Sequence, residues 1–315
     1  MRVKYSIIYI VVIAMLVCLI GCVPSQSIKQ EGRLSIVTTV FPAYDFAAQI
    51  CGGVDADIKM LLPLGSESHT YEPTPQDIMT IQNCDLLICV GGESEAWLDT
   101  ILAALDTPVR IFRMLDCVSV EASEEERSHD DHDNHTHGDH DHDEHIWTSP
   151  LNAAAIVTAI GGELCGVAPA NAAIFSANAA EYAYDIMELD SEFRELFDTV
   201  QNKTLVFGDR FPFKHFADEY GLTCYAAYPG CAGESEPGAA AIAFLIDTVI
   251  AENIGTVYYI EFSNHLVADG IAEASGADTA LLHSCHNVSA QDMQSGITYI
   301  SLMRRNLDTL RATMR

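Results

Sequence analysis

The chain has 315 residues, 49% of them apolar, which is enough for two compact domains with buried cores. Its 45 acidic and 16 basic residues give a formal net charge of -29. Because phosphate binding needs a basic surface, this charge argues against a nucleic acid as the partner and favours the attraction of cations.

The N-terminus is typical of an exported lipoprotein. A short basic region precedes an apolar run at residues 7–20, and Leu19-Ile20-Gly21-Cys22 resembles a bacterial lipobox. We therefore predict a signal peptide over residues 1–21, lipid attachment to the sulfur of Cys22, and a polar tether over residues 22–33. Two or more acyl chains would hold the protein on the cell membrane, facing away from the cytoplasm. A retained N-terminal membrane anchor is the alternative.

The first part of the mature chain alternates short apolar strands with helices. We expect strands at residues 34–40, 57–62, 86–90 and 109–112, and helices at residues 43–50, 74–83 and 97–105. The second helix has the clearest start, because Thr74 can cap it, Pro75 takes its first position and Asp77 its third. Strands that alternate with helices indicate a parallel sheet covered on both faces.

An acidic, histidine-rich loop at residues 119–144 interrupts this alternation, and we expect no fixed structure for it. Its histidines are His129, His132, His135, His137, His140 and His142. Imidazoles among carboxylates suit a divalent metal ion, but a solvated acidic loop that binds metal only loosely is the alternative. We therefore give these histidines an auxiliary role. His145 differs from them, because it opens the apolar segment Ile146-Trp147, where the chain re-enters folded structure.

The second part of the chain repeats the pattern of the first. A helix begins near Asn152, and a long alanine-rich helix follows at about residues 170–200, which at this length would span about 45 Å. Strands are then expected at residues 204–207, 223–227, 257–262 and 279–282, and helices at residues 213–220, 239–252, 266–275 and 292–314.

These elements predict an α/β fold of two lobes, each with a parallel β-sheet flanked by helices, joined by one long connecting helix. The N-terminal lobe would cover residues 34–166, the connecting helix residues 167–202, and the C-terminal lobe residues 203–315. Eight cysteines remain when Cys18 and Cys22 are set aside, and none forms a CxxC pair, so a zinc site of four cysteines is not expected. Cys231 and Cys285, both in predicted loops, are candidates for a disulfide.

Polar residues cluster where the predicted strands end, which is where ligands bind in parallel α/β sheets. His69, Asp209, Arg210 and His283 follow predicted strands, Glu261 lies at the end of one, and His145 follows the insertion after the fourth strand. Three or four such ligands from both lobes would suit Zn²⁺, which prefers a tetrahedral set of nitrogen, oxygen or sulfur atoms.

Two motifs carry a resemblance to a known family. The stretch from His69 to Pro75 (HTYEPTP) and the stretch from Asp143 to Trp147 (DEHIW) resemble the first and second ligand motifs of the zinc/manganese substrate-binding proteins of ABC transporters. The position of the second motif after a histidine-rich loop is similar to that in zinc-uptake lipoproteins. The resemblance runs from about Leu34 to the C-terminus. It implies a metal site in the inter-lobe cleft, and as partners an ABC permease and its cytoplasmic ATPase.

The sequence departs from the family pattern at the third histidine, which the family places shortly after the first strand of the second lobe. Here that region reads Phe207-Gly208-Asp209-Arg210. We therefore predict a compensated site of His69, His145 and His283, with a carboxylate or a water as the fourth ligand; Asp209 is the first candidate for that carboxylate. Further candidates for ligation, or for hydrogen bonds to a ligand, are Glu261, Glu236, His286 and Glu67.

The resemblance implies a receptor that captures Zn²⁺ outside the cytoplasm and delivers it for uptake, and not an enzyme. Zinc is favoured over manganese because three imidazoles suit Zn²⁺, whereas Mn²⁺ prefers a set richer in oxygen. The alternatives are a Mn²⁺ receptor of the same family, a metal-storage or adhesin lipoprotein, and a zinc hydrolase. Against the hydrolase, no HExxH or comparable motif of metal ligand plus base is present.

Overall fold

A computed structural model describes residues 33–67, 71–105, 107–118, 143–228 and 237–314. The predicted signal peptide and tether with Cys22, the histidine-rich residues from His129 to His142, and the candidate ligands His69 and Glu236 lie outside these ranges. The chain from Leu34 to Arg315 forms one compact unit.

The first lobe is built on a four-stranded parallel sheet with the order β2-β1-β3-β4. Its strands are β1 (Leu34–Thr38), β2 (Ala56–Met60), β3 (Leu86–Cys89) and β4 (Ile111–Arg113), and its helices are α1 (Phe41–Ile50), α2 (Pro75–Gln82) and α3 (Ala96–Ala104). Ile36 of the central strand pairs with Ile58 on one side and with Leu86 on the other. Because all four strands are parallel, their carboxyl ends lie at one edge of the sheet.

The sequence pattern explains why this sheet is covered on both faces. Ile36 and Val37 point to opposite sides of β1, and both are buried, at 0% and 1% exposure. Helix α2 starts as its sequence predicts: the Asp77 N–H donates to the Thr74 hydroxyl at 3.3 Å, and the Thr74 N–H donates to the Asp77 carboxylate at 2.9 Å. This reciprocal cap satisfies two N–H groups that would otherwise have no partner in the first turn.

Two long helices follow the first sheet in the chain, and the second of them connects the lobes. Helix α4 (Pro150–Val167) is long and apolar enough to cross a membrane by length and composition alone, but Ile156, Val157 and Ile160 are fully buried in the protein core. A Cβ atom on Gly161 would stand 2.5 Å from the Cβ of Ala179, so this glycine lets α4 approach the connecting helix closely. The connecting helix α5 (Ala172–Thr199) is the long helix that the sequence predicts.

The second lobe repeats the strand order of the first, as β6-β5-β7-β8, again all parallel. Its strands are β5 (Thr204–Phe207), β6 (Thr223–Ala226), β7 (Thr256–Tyr259) and β8 (Asp278–Leu281), and its helices are α6 (Lys214–Tyr220), α7 (Ala239–Ala251) and α8 (Leu266–Ser275). The predicted fold class, two α/β lobes with parallel sheets and a long connecting helix, is therefore confirmed.

The C-terminal segment differs from the single helix expected at residues 292–314. It forms two helices, α9 (Ala290–Gln294) and α10 (Tyr299–Thr313), separated by a turn in which Gly296 has a φ of +74°. The Tyr299 N–H at the start of α10 donates to the buried carboxylate of Asp45 in α1 at 2.9 Å. The end of the chain therefore packs back onto the first lobe, and the break allows this change of direction.

Candidate metal centre

A cleft lies where loops from the carboxyl ends of β2, β5, β7 and β8 come together, and it encloses about 400 Å³ including its open mouth. The first lobe lines it with Ser66, Glu67 and His145, and the rest of the wall consists of Arg210, Pro212, Ile260, Glu261, Phe262, Ser284, His286 and Asn287. The cleft therefore occupies the edge at which parallel sheets bind their ligands.

His145 is buried at 3% exposure and is held in one orientation by Asp143. The Asp143 carboxylate lies 2.6 Å from the ring Nδ1 and accepts the backbone N–H of His145 at 2.9 Å. Burial opposes ionisation of Asp143, but the hydrogen bonds from His145 and the nearby charges of His145 and His215 outweigh it, so the pKa of this carboxyl is lowered. An imidazole that donates from Nδ1 carries its lone pair on Nε2, which is the form that binds a metal ion.

Three aromatic rings pack edge to face at the back of the cleft. Their centroids lie 5.4 Å apart for His145 and Trp147, 5.0 Å for His145 and His286, and 5.1 Å for Trp147 and His286. The Trp147 indole N–H donates to the carbonyl of Ser284 at 2.9 Å, and the Tyr299 hydroxyl donates to the carbonyl of Trp147 at 2.7 Å. Trp147 thus positions both imidazoles.

The spacing of the His145 and His286 rings is compatible with one shared zinc ion. Two histidines on one tetrahedral zinc ion, each with a Zn–N distance of about 2.0 Å, have ring centroids about 5 Å apart. The ring centroids of His145 and His286 are 5.0 Å apart, so the two rings are spaced compatibly with one shared ion.

The loop after β8 that carries His286 is fastened to the first lobe by hydrogen bonds. The carbonyl of His286 accepts the N–H of Phe41 at 3.1 Å. The Asn287 amide donates to the carbonyls of Pro63 and Ser66 at 2.8 Å and 2.9 Å. These bonds join the loop after β8 to the loop after β2 across the cleft.

Glu261 supplies a carboxylate to the same cleft, and its side chain is 8% exposed. It accepts the backbone N–H of Ser284 at 2.7 Å and the Ser284 hydroxyl at 2.5 Å, and it lies 3.5 Å from the His283 Nδ1. A carboxylate has about four lone pairs, so these bonds orient Glu261 and leave it acceptor capacity for a metal ion.

His283 was expected in the cleft, but the structure does not place it in the lining. Its Nδ1 accepts the backbone N–H of Cys285 at 2.9 Å, and its own backbone is bonded twice to Asn306, both at 2.7 Å. The turn that produces this arrangement passes through Cys285, whose φ of +63° is unusual for a residue with a side chain. His286, three residues later, lies in the cleft instead. Cys285 itself is a fully buried free thiol, and Cys231, the partner considered for a disulfide, lies outside the described residues.

Asp209 is likewise absent from the cleft lining. Its carboxylate is 8% exposed and accepts the N–H of Arg210 at 2.8 Å and that of Ile260 at 3.3 Å, so it ties together the ends of β5 and β7. Arg210 lines the cleft in its place, and its Nη1 lies 2.6 Å from the carboxylate of Glu67. The pairing of Arg210 with Glu67 was not predicted from the sequence, because these two residues are far apart in the chain.

Within the described parts of the chain, no group of three or more His, Cys, Asp or Glu side chains is arranged to hold a metal ion. The cleft does bring together His145, His286 and Glu261, with Glu67 nearby. His69, the first ligand predicted from the motif, comes two residues after Glu67 and lies outside the described residues. His215 has a supporting position, since its Nε2 is 2.8 Å from the carbonyl of Asp143.

Comparison with known proteins identifies relatives over nearly the whole chain. Residues 36–313 match the family model described as zinc-uptake complex component A, periplasmic. The zinc-binding lipoprotein AdcA of Streptococcus pneumoniae is 30% identical over 296 residues, which cover 94% of this chain and 58% of the relative. The high-affinity zinc uptake system protein ZnuA of Bacillus subtilis is 32% identical over 287 residues, which cover 90% of this chain and 88% of the relative.

The fold is shared with solved structures as well. The Zn(II)-bound ZnuA-like domain of Streptococcus pneumoniae AdcA matches with a TM-score of 0.73 and 28% identity, over 90% of this chain and 99% of that one. This chain spans only about 58% of the length of the streptococcal relatives.

Proposed function

We propose that this chain, which belongs to the family of periplasmic zinc-uptake complex component A, is an extracytoplasmic receptor that captures Zn²⁺ for uptake. Its relatives in Streptococcus pneumoniae and Bacillus subtilis are named as a zinc-binding lipoprotein and a zinc uptake system protein. In this proposal the receptor hands its ion to an ABC permease driven by a cytoplasmic ATPase. A lipid on Cys22 would keep it on the outer side of the cell membrane.

The observation that carries the proposal is the pair of imidazoles in the cleft. The ring centroids of His145 and His286 are 5.0 Å apart, which is compatible with both rings binding one zinc ion, and the Glu261 carboxylate lines the same space. We propose His145, His286, Glu261 and His69 as the ligands. His286 thus replaces His283 in the set expected from the sequence, and Glu261 replaces Asp209.

The donor set supports zinc over manganese. Three imidazoles and one carboxylate oxygen suit Zn²⁺, whereas Mn²⁺ is better served by a set dominated by oxygen. Each imidazole must be unprotonated to bind the ion, so we expect the affinity for zinc to fall as the pH is lowered through the histidine range.

The cleft supports a receptor better than a hydrolase. Among the described residues that line it, Glu261 is the one buried carboxylate, and both of its oxygens accept hydrogen bonds from Ser284. A carboxylate that binds the ion itself is not available to accept a proton, so in this proposal Glu261 is a ligand and not a general base beside a metal-bound water.

Isothermal calorimetry with Zn²⁺ on the mature chain, with and without residues 128–142, tests the proposed function. A receptor predicts one tight site per chain that survives the deletion, because the histidine-rich loop is auxiliary. Storage by the loop predicts several weak sites that disappear with it. Loss of the tight site on deletion, or weak sites alone in the intact chain, would contradict the receptor.

A further inference from the structure

Arg210 places a fixed positive charge in a cleft that is otherwise suited to a cation. It follows β5, at the end of the second-lobe sheet, and lines the cleft with His145, His286 and Glu261. An arginine does not lose its proton in a protein, so its charge leaves the cleft only if the side chain moves.

The guanidinium is held by a carboxylate from the other lobe. Arg210 Nη1 lies 2.6 Å from Glu67 Oε2, and the two side chains are 28% and 42% exposed. Among the described residues, Glu67 is the one carboxylate within ion-pair distance of Arg210. The pair therefore spans the cleft near its mouth, where both side chains have room to turn toward solvent.

The backbone around Glu67 is anchored, so the side chains are the parts that can exchange partners. The Gly65 N–H donates to the carbonyl of Val288 at 2.9 Å, and Asn287 donates to the carbonyl of Ser66 at 2.9 Å. When Arg210 turns away, the Glu67 carboxylate remains at the edge of the cleft. A carboxylate oxygen is one of the donors that zinc accepts.

Charge balance favours such an exchange. The described charged groups that line the cleft are Glu67, Glu261 and Arg210, which sum to -1 with Arg210 in place and to -2 without it. A divalent ion is neutralised by the second arrangement and repelled by the guanidinium in the first.

We propose that Arg210 is an intramolecular competitor of the metal ion for the Glu67 carboxylate. In the metal-free protein Arg210 holds Glu67 across the cleft. A bound Zn²⁺ takes that carboxylate as a fifth, weaker oxygen contact beside His145, His286, Glu261 and His69, while Arg210 turns to solvent. This inference rests on the proposed function and assigns Arg210 the role of setting the zinc affinity. The apparent Kd for zinc equals the intrinsic Kd divided by the fraction of protein in which Glu67 is not paired with Arg210.

Zinc affinities measured by competition with a chromogenic chelator test this role in four variants. Arg210→Gln is expected to tighten binding about tenfold, because the competitor is gone. Glu67→Gln is expected to weaken it about tenfold through loss of a donor. Arg210→Lys keeps a competing charge and stays within about threefold of the wild type. Arg304→Gln, which removes a surface arginine paired with Glu192 at 2.7 Å, serves as the charge-matched control and changes affinity less than about twofold.

The double variant Arg210→Gln/Glu67→Gln separates competition from simple repulsion. Competition predicts that Arg210→Gln gains less than about twofold when Glu67 is absent, because there is no carboxylate to compete for. A gain that persists at full size in the Glu67→Gln background overturns the proposal, as does an unchanged affinity in Arg210→Gln alone. If the wild type binds zinc tightly and Arg210→Gln has the same affinity, only the competitor role is contradicted. A wild type without a tight zinc site contradicts the proposed function as well.

Discussion

The two sheets have the same strand order and the same parallel pairing, yet their carboxyl edges contribute to the cleft in different ways. The first lobe offers His145, an imidazole fixed in its tautomer by Asp143. The strands of the second lobe end in charged residues, and the carboxylate of one of them, Asp209, accepts hydrogen bonds from two backbone N–H groups. Its imidazole, His286, comes from a loop that is bonded to the first lobe.

This difference shows that a strand end marks where a site lies, while the following turn decides which side chain reaches it. His283 and His286 occupy the same loop, but the turn at Cys285 sends one ring against the protein and the other into the cleft. We expect different effects from substitutions at His145, which Asp143 orients, and at His283 and His286, whose directions the turn at Cys285 sets.

The largest effect on zinc affinity is expected at the proposed ligand His145. His145→Ala removes the imidazole that is buried and oriented by Asp143, and we expect zinc affinity to fall by at least about 100-fold, since even partners behind a ligand are worth about 10–100-fold. Chelator competition measures this directly. His265→Ala is the matched control, because that histidine pairs with Asp269 on the surface at 2.8 Å. Equal affinities for the two variants would remove His145 from the site.

The two histidines of the loop after β8, His283 and His286, give the next test. His286→Ala should weaken zinc binding by about 100-fold, and His283→Ala should leave the affinity within about threefold. His283→Ala should instead lower the free energy of unfolding by about 1–3 kcal/mol, because the buried N–H of Cys285 loses its acceptor. Urea denaturation and chelator competition on both variants separate these effects. The reverse pattern would restore His283 as the ligand.

The first lobe also contains Glu95, a carboxylate near the carboxyl edge of its sheet whose burial opposes ionisation. Burial raises the pKa of Glu95 to about 7, the charge of Glu144 adds to this, and a hydrogen bond from the Gly91 N–H at 2.8 Å opposes it. The folded state therefore binds a proton more readily than the unfolded state, so stability should fall as the pH rises from about 4.5 to about 7.

Glu95→Gln should flatten this pH dependence and stabilise the protein at pH 8 by about 2 kcal/mol, since one pKa unit corresponds to about 1.4 kcal/mol. Thermal or urea unfolding across this pH range provides the measurement. Glu163→Gln, at an exposed ion pair with Arg110, is the control. A variant whose pH profile parallels that of the wild type would show that Glu95 is ionised in the fold at neutral pH.

The smallest effect on zinc affinity is expected at Asp143, which orients the His145 ring. Asp143→Asn keeps the shape of the side chain but weakens the bond that orients the ring, so zinc affinity should fall about tenfold. Asp269→Asn makes the same change beside the surface histidine His265 and should leave the affinity unchanged. An unaltered affinity in Asp143→Asn would mean that the ring is held by packing against Trp147 alone.

Much of the fold follows from the sequence because it depends on local patterns. Short, β-branched apolar runs such as Leu34–Thr38 favour buried strands, and their alternation with helices predicts parallel sheets. The connecting helix and the cap at Thr74 are read from neighbouring residues. The split between α9 and α10 was missed, because Gly296 in a helical pattern is compatible with either a turn or a helix.

The site was predictable only in part, for a physical reason. His145 lies in a motif and directly precedes buried apolar residues, so its position could be predicted from its neighbours. The proposed exchange of His283 for His286 depends on a positive φ at Cys285, a conformation that no residue type there signals. The pairing of Arg210 with Glu67 joins side chains from different lobes and exists only in the folded protein.

A zinc-bound crystal structure with anomalous scattering at the zinc edge tests the central claim most directly. We predict one anomalous peak in the cleft, about 2.0 Å from an imidazole nitrogen of His145 and from one of His286, with a Glu261 oxygen within about 2.2 Å. A single zinc ion bound by His283 and Asp209, with His286 outside its coordination sphere, would contradict the account.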